Sequence, residues 1–272
     1  MINSLQDCTT LNNGVKMPWI GLGLNLVHPG IPMKRAIKSA LDAGIRSFDS
    51  SRQYMNEKSL GETLKDIGIP REEVFITAKL TNSNQTASAT FKAVEKSKKN
   101  LRVDYIDLFL VNNASTRYDE TWRTLETLYK EGQIKAIGVS NFNITHLEYL
   151  KSICEIVPAV NQVEFHPWFT QEKLLAYCQE NGIQMEAWGP LARGEILDNK
   201  IIKGLAKKYG KTPAQIILRW DLQKKVVTIP KSTHSSRILE NTNIFDFNLA
   251  DEDILEISKL NRNKRWMWSY GS

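Results

Sequence analysis

At 272 residues, 42% hydrophobic and 24% charged, the chain has room for a large buried core and shows no compositional extreme. Its formal charge of +6 comes from interspersed signs, and its densest cationic groups (Lys96, Lys98, Lys99 and Arg262, Lys264, Arg265) read as a solvated helix face and a terminus, which excludes nucleic acid as an expected partner. Three cysteines without CxxC spacing, no apolar run near ~20 residues and no charged-then-apolar leader make a cytoplasmic protein without disulfides or membrane spans the expectation. In chain order, Thr9–Pro18 carries Asn12-Asn13-Gly14 between short apolar runs and predicts a hairpin able to plug the bottom of a barrel. Strands are then predicted at Trp19–Leu22, Arg46–Asp49, Val74–Lys79, Tyr105–Val111, Ile134–Val139, Ala159–Val163, Gln184–Trp188 and Val226–Ile229. Between and after them, helical patterns fall near 33–43, 57–67, 86–100, 119–131, 144–151, 171–181, 199–222 (broken at Lys211-Thr212-Pro213) and 235–242.

Gly44, Gly132 and Gly182 sit just past predicted helices, where a left-handed residue ends the last turn, and Thr212-Pro213 reads as the cap and first residue of a new helix. No linker or composition shift divides the chain, so one domain over residues 1–272 is expected. Regular βα alternation demands a parallel sheet, either a closed (β/α)8 barrel or an open doubly wound sheet. Gly21-Leu-Gly23 lacks the third glycine of a dinucleotide-binding turn, since position 26 is Leu26, and no P-loop is present; the barrel is the better reading. In such a barrel, polar residues at the carboxyl ends of strands mark the chemistry. They are Asp49, Lys79, Asn112, Asn113, Ser140, Asn141, Gln162, Trp188, Lys231 and Ser232.

Six collinear motifs between about residues 9 and 262 carry a resemblance. They are Leu11–Pro18, Ser47–Asp49 with Tyr54-x-Asn56-Glu57, Phe75–Lys79, Ile137–Phe142, Val160–Glu164, and Ile229–Ser232 with Arg237-Ile-x-Glu240-Asn241. In them the chain resembles the aldo-keto reductases, bacterial members in particular. The resemblance implies a (β/α)8 TIM barrel with an N-terminal β-hairpin and a C-terminal tail, here aromatic, and NADPH across the carboxyl face. It also implies a catalytic group of Asp49, Tyr54 and Lys79. A phenol with an ordinary pKa near ~10 lends its proton poorly at neutral pH, and a neighbouring ammonium is expected to lower that value. A carboxylate beside the ammonium keeps it charged. The histidine usual after the fourth strand is Asn112, which can donate a hydrogen bond but carries no titrating proton.

Other departures lie around the substrate. Leu24-Asn25 replaces Thr-Trp, Thr81 and Asn113 replace tryptophans, and Met55 replaces a glycine, while Trp266 and Trp268 enrich the tail that would close over the pocket. For the cofactor, the resemblance implies Ser140, Asn141 and Gln162 at the nicotinamide amide and Trp188 stacked on its ring. Lys231, Ser232 and Arg237 would meet the 2′-phosphate, Glu240 and Asn241 the adenine, and Arg193 the pyrophosphate, with Leu191 and Thr233 as further cofactor contacts. None of His28, His146, His166 and His234 has metal-ligand spacing, so no metal is expected. The expected activity is NADPH-dependent reduction of a carbonyl of a small, fairly polar metabolite by a monomer. Reduction of C=C or C=N on the same scaffold, or an NADPH-binding sensor with vestigial turnover, are the alternatives.

Overall fold

A computed structural model describes residues 2–80, 86–114 and 118–265. The predicted hairpin is present: β1 (Cys8–Thr10) pairs antiparallel with β2 (Lys16–Pro18), turning through Gly14 at φ 88°. Eight parallel strands follow: β3 (Leu22–Gly23), β4 (Ser47–Asp49), β5 (Phe75–Leu80), β6 (Ile106–Val111), β7 (Ile134–Ser140), β8 (Val160–Glu164), β9 (Gln184–Trp188) and β10 (Val227–Thr228). They hydrogen-bond in sequence order, and the two ends meet. Gly21 N donates to Thr228 O and Thr228 N to Trp19 O, each at 3.0 Å, and Ile20 bridges Thr228 in parallel. The sheet is therefore a closed barrel, not an open doubly wound sheet.

Helices α1 (Ile31–Asp42), α2 (Glu57–Ile67), α3 (Ala87–Leu101), α4 (Tyr118–Lys130), α5 (Ile144–Ile153), α6 (Glu172–Glu180), α7 (Lys200–Tyr209), α8 (Pro213–Gln223) and α9 (Ser235–Thr242) match the expected pattern within a turn. Gly44, Gly132 and Gly182 all take positive φ, and Thr212 forms a capping box with Gln215 in front of Pro213. Four elements were not anticipated: α10 (Asp251–Ser258) and three 3-10 stretches, Arg52–Tyr54, Arg71–Glu73 and the kinked Ala192–Asp198. The first barrel strand is also shorter than its apolar run, pairing over Leu22 and Gly23 after the Ile20 bridge. Among the described residues no helix is long and apolar enough to cross a membrane.

Strand alternation places the site. Phe48, Ile76, Ala78, Phe109, Val111, Val163, Met185 and Ala187 point outward into the layer shared with the helices. Phe75, Leu108, Leu110, Ala136, Val160 and Val227 point inward and pack with Leu11 and Met17 of the hairpin, which close the floor. Toward the carboxyl ends of β4, β5, β8 and β9 the inward face is polar: Asp49, Lys79, Gln162 and Glu186. Outside the barrel, α2 and α3 meet at Gly61, where a Cβ would lie 2.7 Å from Asn100 O and closer still to Leu101 O. Trp220 of α8 stacks on Phe165 after β8 at 5.0 Å between ring centroids, anchoring that helix to the sheet.

Candidate active site

The polar layer is built from backbone constraints upward. β4 ends on Asp49, the buried Ser50 and Ser51 follow, and the chain turns through a 3-10 helix, Arg52–Tyr54. Ser51 Oγ caps this turn by accepting from Gln53 N at 3.3 Å, and Met55 closes it in the left-handed region at φ 52°. Asn56 then locks the loop. Its amide nitrogen donates to Leu24 O (2.9 Å) and Val27 O (3.1 Å), and its oxygen accepts from Ser50 Oγ at 2.9 Å. Every hydrogen-bonding direction of that buried amide but one is used, tying the loops after β3 and β4 together. Tyr54 is thereby held over the barrel.

Lys79, from β5, lies beneath it. Its ammonium donates to Asp49 Oδ1 at 2.5 Å, Ser50 O at 3.3 Å and Tyr54 Oη at 3.4 Å, so all three protons have acceptors. Burial alone would pull the Lys79 pKa down. Asp49, Tyr54 and Glu186 outweigh it and hold the value above the ordinary lysine range. For Tyr54 the outcome corrects the expectation from sequence. Burial pushes its phenol up by more than Lys79 pulls it down, so the net shift is upward. Without water around the phenolate, one ammonium at 3.4 Å does not replace the lost hydration.

Sequence reasoning missed Glu186. It is fully buried on β9, and its carboxyl is pushed up to about 8 by burial and then by the charge of Asp49. Gln162 sits between the two acids, its amide nitrogen donating to Asp49 Oδ2 at 2.8 Å and to Glu186 Oε2 at 2.7 Å. An acid two residues from the polar end of a strand, flanked by the outward Met185 and Ala187, was the available signal.

The remaining candidates fall into three groups. Ser140, Asn141, Asn112 and Trp188 are brought together at the rim: Asn141 Nδ2 donates to Asn112 O and Ser140 Oγ, both at 3.2 Å, and Trp188 Nε1 donates to Asn141 Oδ1 at 2.9 Å. Asn112 itself turns its amide to Gln53 Oε1 at 3.0 Å, beside Tyr54, and Asn113 is partly buried next to it. Lys231 and Thr233 follow β10 and line an open cleft with Leu26, His28, Arg35 and His234; Ser232 is buried, its hydroxyl accepting from His234 N. Arg237 is exposed on α9, Asn241 is buried, and the Glu240 carboxylate accepts from Thr212 Oγ1 at 2.6 Å, fixing α9 against α8. Leu191 opens the kinked stretch in which Arg193 takes φ 56°. Asn25 is exposed, while Thr81, Trp266 and Trp268 lie outside the described residues.

Two of the histidines serve local structure, and His28 and His234 line the cleft beside Lys231. His146 completes a capping box with Asn143, His166 pairs with Glu164 at 3.0 Å in the core, and His234 precedes α9.

Comparison with known proteins agrees with this geometry. Residues 32–262 match the model of the Aldo/keto reductase family. The chain is 50% identical over 266 residues to the glyoxal reductase of Bacillus subtilis, covering 97% of this chain and 96% of that one. It is 43% identical over 268 residues to a 9,11-endoperoxide prostaglandin H2 reductase of Trypanosoma cruzi, covering 97% and 95%. Among solved structures, an aldo-keto reductase from a Medee basin deep-sea metagenome library superposes with a TM-score of 0.94 at 42% identity, covering 97% and 98%. Bombyx mori aldo-keto reductase in complex with NADP gives 0.89 at 34% identity, covering 96% and 94%. A closed barrel carrying Asp49, Tyr54 and Lys79 at its mouth, matched by relatives over nearly its full length, belongs to the aldo/keto reductase family.

Proposed function

We propose that this protein reduces a carbonyl group of small, fairly polar metabolites with NADPH, Tyr54 giving the proton. One observation carries the reading: the buried run Asp49 Oδ1, Lys79 Nζ and Tyr54 Oη, in which a fully engaged ammonium faces the phenol. NADPH, when bound, supplies the hydride. The donor set suits it. Ser140 and Gln162 are cross-strand partners on β7 and β8, and neutral hydroxyl and amide groups match a carboxamide. Lys231 and Arg237, with Arg35 on the same cleft as Lys231, are the cations a phosphate would meet.

In this reading Lys79 holds the charge that develops when Tyr54 loses its proton, and Asp49 keeps Lys79 in place. Charge stabilisation of this kind is strongest in a water-excluded site. The upward shift of Tyr54 keeps it protonated before the reaction, ready as an acid. The polar rim formed by Gln53, Asn112 and Asn113 favours an oxygen-rich substrate over an apolar aldehyde, and a relative named a glyoxal reductase supports that choice. Single-turnover oxidation of NADPH against aldehydes, dicarbonyls, enones and imines tests the reading. Tyr54→Phe should slow carbonyl reduction by at least about 100-fold while NADPH binding stays within about twofold. An unchanged rate would remove Tyr54 from the mechanism.

A second reading has its own observation. Asn112 carries no titrating proton and already donates to Gln53, so a substrate asking less of that position, an iminium or an enone, fits the same scaffold. Faster turnover of imines or enones than of aldehydes in the same screen would favour it.

A further inference from the structure

We infer that Glu186 is a positioning residue that takes up the second N–H of the Gln162 amide, leaving only its carbonyl oxygen for the cofactor, and so makes the site select a pyridine ring bearing a hydrogen-bond donor. The inference rests on the NADPH reading above.

Gln162 Nε2 has two protons, and two buried carboxyl groups take them: Asp49 Oδ2 at 2.8 Å from β4 and Glu186 Oε2 at 2.7 Å from β9. Rotating the amide by half a turn would set its carbonyl oxygen against both acids. Asp49 alone forbids this, since it is ion-paired to Lys79 and needs a donor on its second oxygen. Among the described residues nothing donates to the Gln162 carbonyl oxygen, and it is not one of the fully buried polar atoms left without a partner. That oxygen is therefore the group Gln162 offers. It accepts and cannot donate.

Glu186 is what makes this exclusive. With Asp49 alone, one N–H of Gln162 would be left over and the amide could present a donor as well as an acceptor. Protonation of Glu186 does not undo the arrangement, because its Oε2 still accepts as a carbonyl oxygen while the proton sits on Oε1, the oxygen without a partner. The charged and titratable groups around Glu186 are Asp49 from β4, Lys79 from β5 and Tyr54 from the turn after β4, with the neutral Gln162 from β8; each keeps its own bond whichever form Glu186 takes.

A carboxamide ring substituent offers an N–H to this oxygen. An acetyl group of the same shape offers only a second carbonyl or a methyl. The test is the ratio of dissociation constants for NADP and its 3-acetylpyridine analogue, read from intrinsic tryptophan fluorescence in wild type, Glu186→Gln and Glu186→Met. Wild type should prefer the carboxamide by about five- to tenfold, the value of one hydrogen bond. Glu186→Gln, which keeps an acceptor for the second N–H, should retain that preference. Glu186→Met should bring the two nucleotides within about twofold, with Glu186→Ala standing in where the Met variant does not fold. A full preference in the Met or Ala variant overturns the role of Glu186, and a wild type that binds both nucleotides equally overturns the acceptor-only reading of Gln162. If wild type binds neither nucleotide, the NADPH reading itself falls, and the inference with it.

Discussion

Replacing Lys79 with Met leaves a side chain of similar length and removes one buried ammonium. Asp49 and Lys79 are 4% and 2% exposed and their charged atoms are 2.5 Å apart. With an effective dielectric of ~20, that separation corresponds to a gross attraction of roughly 6–7 kcal/mol, an upper bound because both ions lost their hydration on burial. In the variant, Asp49 keeps only Gln162 as a donor, while Ser50 O and Tyr54 Oη lose theirs. Removing one partner of a buried pair costs about 3–5 kcal/mol, since the other charge stays behind. At about 2–4 °C per kcal/mol for a domain of this size, the melting temperature should fall by roughly 6–20 °C. Urea unfolding followed by fluorescence gives the free energy directly. Asp49→Asn in the Lys79→Met background should restore part of the loss, because no carboxylate is then stranded. A Lys79→Met protein within about 1 kcal/mol of wild type, or a double variant less stable than the single one, would refute the view that the pair is a closed electrostatic unit.

Three further outcomes follow from the same structure. Asn112→His should raise aldehyde reduction by about 10- to 100-fold, because an imidazole beside Gln53 and Tyr54 adds a titrating donor; steady-state rates across pH 5.5–8 check it, and no gain would mean that position 112 does not face the substrate. Gly61→Ala should destabilise by about 1–3 kcal/mol in urea despite a gain of about 1 kcal/mol in helix propensity, because its Cβ would press on the α3 backbone at Asn100 and Leu101; a stabilised variant would refute that packing. Glu186 has its pKa raised from 4.5 to about 8 in the folded chain, so folding favours its protonated form. The contribution it makes is full below the ordinary carboxylate range and is lost as pH rises through about 8. Melting temperatures of Glu186→Gln should therefore fall less than those of wild type between pH 5 and 8.5, and parallel curves would count against the shift.

The alternation of short apolar runs with amphipathic helices was enough to order eight strands and nine helices, because each of those signals is local. Caps behaved likewise: Gly44 and Thr212-Pro213 act within one turn of chain. Helix α10 was overlooked although Asp251, Glu252 and Asp253 stand in its first turn, where acids favour a helix start; that signal was legible. Asp49, Tyr54 and Lys79 could be named from motif order, and their meeting required only that β4 and β5 be neighbours.

Sequence alone could not decide what the interior does to those residues. Whether Tyr54 shifts up or down depends on desolvation against one ammonium, and both terms are set by how completely the barrel encloses the phenol. Glu186 reads as an ordinary strand acid until closure turns it toward Asp49, which comes from 137 positions earlier in the chain (186 − 49). The pairing of Gln162 with both acids likewise exists only because the closed ring brings β4 within reach of the neighbouring strands β8 and β9. Local sequence determined which elements form and where polar groups end them. The closing of the barrel decided which charges share one dry space, because electrostatic energy there depends on distance and burial, and neither is encoded by neighbours along the chain.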